Sequence, residues 1–380
     1  MSLNVVIVPD KFKGTLTARA AAGAIDRGWR KVRPGDHLEL IPMSDGGDGF
    51  GEVLGALSGA ELRSARTVDA AWRKCSAPWW WIPSTETAIV ESARAIGLAM
   101  LPAGRFHPFQ LDTSGLGRLL KTIAEGGAKR CLVGIGGSAT NDGGFGMARA
   151  LGWGFLDGKG NRIERWTELH RLKALCAPSH PKLFQQIVVS VDVKNPLLGA
   201  RGATRIYGPQ KGLRPEDFAL AESCLRRLSI VVREALGKDF AGSPGAGAAG
   251  GLGFALNAFL GAKFETGFDL FARYSKLRRR IRSADLVLTG EGAIDASTMM
   301  GKGTGQIAAL CREMRVPCIA LAGVVRTGGD KRRLFARTLA LTELTSEAKA
   351  KAAPALWLEQ LAKRAARTIT PQWGRNRSRV

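Results

Sequence analysis

The sequence predicts an α/β protein of two domains, a Rossmann-like parallel-sheet domain and a second mixed α/β domain inserted into it. Three observations lead there. Short apolar runs rich in β-branched residues end repeatedly on glycine and an acid, with helical patterns between many of them, which is how parallel strands of an α/β sheet read. Residues 61–92 instead alternate and carry Trp79, Trp80 and Trp81 ahead of a "PSTE" turn, the pattern of antiparallel strands. The parallel grammar then returns at "ADLVLTGEG", from residue 284. The expected domains are therefore 1–64 plus 285–380, discontinuous, and 65–284, inserted.

Element by element, "VVIV" closes at Pro9-Asp10, and residues 15–32 follow as a helix with Thr15 or Thr17 as cap and an alanine-rich body. "LELIPM" runs into Ser44-Asp45-Gly46-Gly47. A helix over 115–126 precedes "CLVGI", which closes at Gly136-Gly137-Ser138, and another over 144–151 follows that loop. "IVVSV" ends at Asp192, "LVLT" at Gly290-Glu291-Gly292 and "CIALA" at Gly323, with a helix over 303–314 after the Glu291 loop. Ligands of such sheets sit beyond the carboxyl ends of the strands, so these glycines and acids are expected to gather at one edge.

Composition narrows the function classes. The chain has 380 residues, 45% of them hydrophobic, ample for a core. The N-terminus lacks a basic stretch followed by a long apolar run, and no segment approaches the roughly 20 apolar residues of a membrane span. A cytoplasmic protein without a membrane partner is expected. The six cysteines show no paired spacing and read as reduced thiols. The net charge of +23 concentrates in 277–282, 331–337 and 363–380, stretches without interleaved aromatics or a nucleic-acid-reading motif. They read as solvated faces; no specific nucleic-acid partner is expected, and a homo-oligomer stays open. Their field would draw anionic small molecules.

Two dinucleotide fingerprints occur literally. Gly134, Gly136 and Ala139 fit G-x-G-x-x-A, with Asp157 where a ribose-binding acid would stand, but Gly134 lies inside the apolar run and "TNDGG" separates the motif from its helix. Gly245, Gly247 and Gly250 follow Pro244 where a strand is required. No G-x-x-x-x-G-K-[ST] is present. Glycine loops at strand ends can nonetheless cradle phosphate through backbone N–H groups. Acids are scarce, 33 against 56 Lys and Arg, yet Asp10, Asp45, Asp48, Asp142, Asp192, Glu291 and Asp295 all fall in these loops. Phosphoryl transfer needs such a set: oxygen ligands for Mg²⁺, a base for the acceptor hydroxyl, and cations on the phosphates. Lys11, Lys13, Lys211 and Lys302 are candidate cations. The four histidines, His37, His107, His170 and His180, have no metal or catalytic spacing, and Ser138 is in no nucleophile elbow.

Six blocks make the pattern specific: "VPDKFKGTLTA", "PMSDGGDGF", "GIGGSATNDGGFGM", "DVKNPLLGARGATRIYGPQKG", "PGAGAAGGLGFAL" and "LTGEGAIDASTMMGK". In this order they resemble the bacterial glycerate kinase family. The resemblance implies a two-domain α/β enzyme that moves the γ-phosphoryl of ATP to a hydroxyl of D-glycerate with Mg²⁺. The 2-phosphate is the favoured product. Within the blocks, Asp10, Lys11, Lys13 and Asp45 are expected to border glycerate, a lysine anchoring its carboxylate. Asp192 is expected as general base or Mg²⁺ ligand, with Glu291 and Asp295 the next metal candidates. Gly136, Gly137, Ser138, Gly290 and Gly292 are expected to offer N–H groups to phosphate, neutralised by Lys211 or Lys302. Two rival readings are a kinase of another small hydroxy or sugar acid, and a nucleic-acid-binding or regulatory protein on an inactive kinase fold.

Overall fold

The computed structural model describes residues 2–44, 47, 49–299, 303–326 and 334–369. Asp45, Asp48 and Lys302 lie outside the described residues, as do 331–333 of one basic stretch and 370–380 of the tail. In chain order the strands are β1 (Asn4–Pro9), β2 (His37–Leu40), β3 (Glu61–Val68), β4 (Lys74–Ile82), β5 (Thr87–Glu91), β6 (Arg130–Gly134), β7 (Gly154–Asp157), β8 (Leu172–Cys176), β9 (Gln186–Ser190), β10 (Lys263–Glu265), β11 (Leu286–Ile294), β12 (Cys318–Val325) and β13 (Arg337–Ala340). Contacts divide the chain into two units, Met1–Asp45 with Phe271–Val380, and Gly46–Leu270.

The first unit holds a five-stranded sheet, all parallel, in the order β13-β12-β11-β1-β2. Its strands read as near-continuous apolar runs because helices cover the faces of such sheets. The helix Ala18–Arg30 buries Ala18, Ala21, Ala22, Ile25 and Trp29 along one stripe, and Thr17, of the two threonines at its start, caps it through Ala20 N–H. It meets the helix Pro354–Arg367 so closely that a Cβ on Gly28 would lie 2.1 Å from the Glu359 carbonyl oxygen. Both acid-bearing strands run on past the points where the sequence breaks their apolar runs: β11 continues through Gly290, Glu291 and Gly292 to Ile294, and β12 to Val325. A sheet tolerates these glycines because their neighbours supply the packing. A Cβ on Gly290 would lie 2.2 Å from Leu321 O, and one on Gly323 would lie 2.4 Å from Gly292 O.

The second unit is built on a six-stranded mixed sheet, β10-β9-β6-β5-β4-β3, parallel from β10 to β5 and antiparallel over β4 and β3. The hairpin β7–β8 stands apart from it. Trp79 and Trp81 point into the unit's main core, whereas Trp80, on the opposite face, meets the helix Phe50–Ser58. A Cβ on Gly51 would stand 1.9 Å from the Trp80 ring and one on Gly55 2.4 Å from it. The same helix has no side chain of its own at the N-cap. The buried Glu91 carboxylate, from the end of β5, accepts Gly49 N–H at 3.1 Å and Gly51 N–H at 3.4 Å instead. These two ties join the helix Phe50–Ser58 to this unit, and the division by contact is Gly46–Leu270, against an expected start of the inserted domain at residue 65. The other division falls inside the helix Gly267–Tyr274, ahead of the apolar run at residue 286.

Candidate functional site

In the first unit the carboxyl ends of β1, β11 and β12 border a cavity of about 480 Å³. Asp10, Lys11 and Lys13 line one side of it, and Glu291, Gly292 and Asp295 another. The sheet register brings them together, since Pro9 lies opposite Gly290 and Asp10 N–H donates to Gly290 O at 2.8 Å. The Asp10 carboxylate accepts Lys11 N–H at 2.7 Å. Past it the chain folds into a tight hairpin, in which Phe12 and Leu16 exchange backbone hydrogen bonds around a left-handed Gly14. That hairpin presents Lys11 and Lys13 at the cavity, and Phe12 anchors it in the core.

Opposite, Thr298 Oγ1 donates to Glu291 Oε1 at 2.7 Å and accepts Asp295 N–H at 3.4 Å, so one buried hydroxyl links the two acidic positions. Sequence reasoning passed over Thr298; the D-x-x-T spacing at a helix start is the signal that could have found it. It also passed over the far wall of the cavity, where Arg326 and Lys351 both pair with Glu347, at 3.0 and 2.9 Å. Two buried hydroxyls of this unit, Ser44 Oγ and Thr304 Oγ1, have no partner among the described residues.

In the second unit the loop after β6 presents a different chemistry. Gly136 and Gly137 are the open part of it, and their N–H groups have no partner among the described residues. Gly137 is left-handed at φ 76°, a turn geometry suited to anion-binding concavities. Ser138 is buried, its hydroxyl between Ala249 O and Thr140 Oγ1, both 3.2 Å away. The loop and the segment Ala248–Leu260 are fitted backbone to backbone. Ala249, Gly250 and Gly251 are all left-handed, and a Cβ on Gly250 would lie 2.0 Å from Thr140 O. Packing therefore accounts for the second glycine fingerprint.

Lys211 and the Ser138 loop, far apart in sequence, meet. The lysine is buried, donates to Thr140 O at 2.6 Å, and reaches Ser138 Oγ at 3.5 Å. Burial lowers its pKa to about 7, against the opposing pull of the Asp142 charge. Asp142 is fully buried and serves the fold of the loop: it accepts Thr113 N–H, Thr113 Oγ1, Gly144 N–H and Gly146 N–H, at 2.8–3.1 Å. Burial raises its pKa to about 6, and the nearby Asp112 adds to the rise. Asp192 follows β9 in this same unit and accepts Gly267 N–H at 3.0 Å. At or beyond the carboxyl ends of β5, β9 and β6, Ser92 Oγ, Ser190 Oγ and Asn141 Oδ1 are buried without a partner among the described residues.

Asp10, Lys11, Lys13, Glu291, Gly292 and Asp295 thus share a cavity of the first unit, while Gly136, Gly137, Ser138, Lys211 and Asp192 belong to the second. Two carboxylate-and-lysine or glycine-and-lysine clusters at strand ends suit an anionic substrate and a phosphate. A sequence model of the glycerate kinase family matches residues 5–370. The chain belongs to the glycerate kinase family. Among its relatives, a glycerate kinase of Halalkalibacterium halodurans is 38% identical over 86% of each chain. A glycerate 2-kinase of Escherichia coli K12 is also 38% identical, over 84% of this chain and 85% of that one. The crystal structure of a protein assigned as glycerate kinase 2 from Salmonella typhimurium LT2 superposes with a TM-score of 0.83 at 30% identity, covering 97% of this chain and 98% of that one. This glycerate kinase is a mixed α/β enzyme with a parallel sheet and a second sheet, and a phosphotransferase acting on an alcohol group; the kinase family implies the use of ATP. Among the described residues no helix is long and apolar enough to cross a membrane.

Proposed function

We propose that this glycerate kinase transfers the γ-phosphoryl of ATP to the 2-hydroxyl of D-glycerate in the cytoplasm, with Mg²⁺. The observation that carries the reading is the clustering of three carboxylates and two lysines around one cavity, at the carboxyl ends of β1 and β11. A short hydroxy acid needs a cation for its carboxylate, and Lys11 and Lys13 are in place to supply it. Glu291 and Asp295 offer the hard oxygen donors that Mg²⁺ takes. Among the described residues no cluster of three or more acid, His or Cys side chains could hold a metal by itself. Mg²⁺ is commonly held by one or two carboxylates, with substrate oxygens and water completing its shell. When bound, it would offset the charge on the phosphate oxygens.

The open N–H groups of Gly136 and Gly137 are the proposed phosphate cradle of the second unit. Lys211, buried against Thr140, shapes that cradle in this reading; Gly290, set within β11, is proposed as a packing position and Gly292 as part of the first cavity's wall. Asp192 is the proposed base for the acceptor hydroxyl. The 2-phosphate is supported by the name of the Escherichia coli relative. Phosphorus NMR of the product from ATP, Mg²⁺ and D-glycerate tests both activity and position. Phosphorus at C2 couples to one carbon-bound proton and gives a doublet; phosphorus at C3 gives a triplet. A triplet would overturn the regiochemistry, and no new phosphoester would overturn the activity.

A further inference from the structure

A second cavity, lined by arginines, lies wholly within the second unit. It has a volume of about 320 Å³ and is lined by Trp72, Arg118, Arg149 and Arg162 among others, with Glu164 its one carboxylate. Glu164 is taken up by Arg149. Arg118 and Arg162 have no carboxylate partner among the described residues, and both are exposed. Two unneutralised guanidinium forks face one small hollow.

The wall between them is built with care for position. Trp72, 46% exposed, sits in the turn between β3 and β4 with a left-handed φ of 63°, a conformation that is costly for a bulky side chain. Asp69 holds that turn by accepting Ala71 N–H at 2.9 Å and Arg73 N–H at 3.0 Å. The indole N–H of Trp72 donates to Asp112 at 3.1 Å, and the Arg118 guanidinium lies over its ring, 5.0 Å from the centroid. The aromatic face therefore holds one arginine at the hollow through a cation–π contact. A planar fork is what recognition of phosphate oxygens calls for. The volume is at the small end of the roughly 300–1,000 Å³ of ligand sites, which restricts the occupant to a small metabolite.

We infer that the cavity of Trp72, Arg118 and Arg162 is a binding site for a small multiply charged phosphate anion, separate from the site of phosphoryl transfer. The inference stands on this cavity alone and does not depend on the roles proposed for Asp10 or Asp192. Calorimetric titration of the full-length enzyme with inorganic pyrophosphate, in Mg²⁺-free buffer, tests it. The variant R118A/R162A should lose one site, or bind there at least about tenfold more weakly. A charge-matched control, R226A/R233A on the exposed side of the helix Phe218–Leu236, should stay within about twofold of the parent, and R118A/R162A should retain the parent's turnover of glycerate. Equal binding by all three proteins, or equal weakening in both variants, would overturn the inference, the latter by showing only attraction to a basic surface. A second measurement needs no variant: pyrophosphate should slow phenylglyoxal modification of Arg118 and Arg162, read by peptide mass, and leave Arg226 unaffected. Unchanged rates at Arg118 and Arg162 would likewise overturn it.

Discussion

Gly267 donates its backbone N–H to the Asp192 carboxylate at 3.0 Å, so the aspartate proposed as catalytic base also holds the start of the helix Gly267–Tyr274. The two duties separate by substitution. In D192N the amide oxygen still accepts Gly267 N–H but can no longer take a proton. Turnover should fall by about 10²–10⁴-fold with the melting temperature near the parent's. D192A should lose, in addition, about 1 kcal/mol of stability with the helix contact. Near-normal turnover in D192N would leave Asp192 a positioning residue only.

The Thr298 hydroxyl tethers Glu291, and its loss should be felt at the acidic edge of the first cavity without disturbing the fold. T298V keeps the shape and removes the donor. A fall in kcat of about tenfold is expected, with T298S restoring most of it. Steady-state kinetics on the three proteins, with denaturation midpoints as the control, check the point; equal kcat in T298V would remove Glu291 orientation from the account.

Gly51 has no room for a methyl group against Trp80. Alanine at this helical position ought to gain helix propensity, about 1 kcal/mol over glycine. The contact outweighs it. G51A is expected to destabilise the protein by about 1–3 kcal/mol, measured by denaturant unfolding. A stabilised G51A would show that the helix can lift from the ring at no cost.

Asp142 and Lys211 give stability opposite dependences on pH. The raised pKa of Asp142, about 6 against 3.8, means the native state holds the extra proton in that window. Its favourable contribution is present below pH 3.8 and is lost as pH rises through 6. Lys211 is lowered to about 7 from 10.5, so its contribution is present above pH 10.5 and is lost as pH falls through 7. In unfolding free energy measured from pH 4 to 10, D142N should flatten the limb that falls between pH 4 and 6. K211M should flatten the limb that rises above pH 7. Identical profiles for parent and variants would show that neither group changes its proton affinity on folding.

How far these features could be foreseen depends on the range of the interaction behind each. β1, β6, β9, β11 and β12 are visible because a strand covered on both faces must be apolar along its length, a property of consecutive residues. Thr15 and Thr17 are visible as cap candidates because a helix cap acts within three residues, and the bond from Ala20 N–H chooses Thr17. The short strands β10 and β13 carry too few residues to show a period. Glu91 looks like the end of an apolar run, and only the arrival of Gly49 and Gly51 from elsewhere in the chain makes it a cap. Asp142 looks, beside Gly143 and Gly144, like an exposed loop acid. Gly144 and Gly146 N–H are donors from its own turn, but the N–H and hydroxyl of Thr113, 29 residues earlier, join them only when the start of the helix Ser114–Glu125 meets the loop, and the carboxylate is wholly buried.

The sequence by itself determined the class of fold, the glycerate kinase family and the short set of polar residues at strand ends, because strand pattern and loop composition are written in neighbouring positions. Only the tertiary structure decided which of those residues share a cavity and which are consumed in holding the backbone. Lys11 and Lys13 line a cavity, whereas Lys211, an identical side chain, is enclosed and spent on Thr140. Whether a charge is available to a substrate is set by what surrounds it, and those surroundings are supplied by segments distant in the chain.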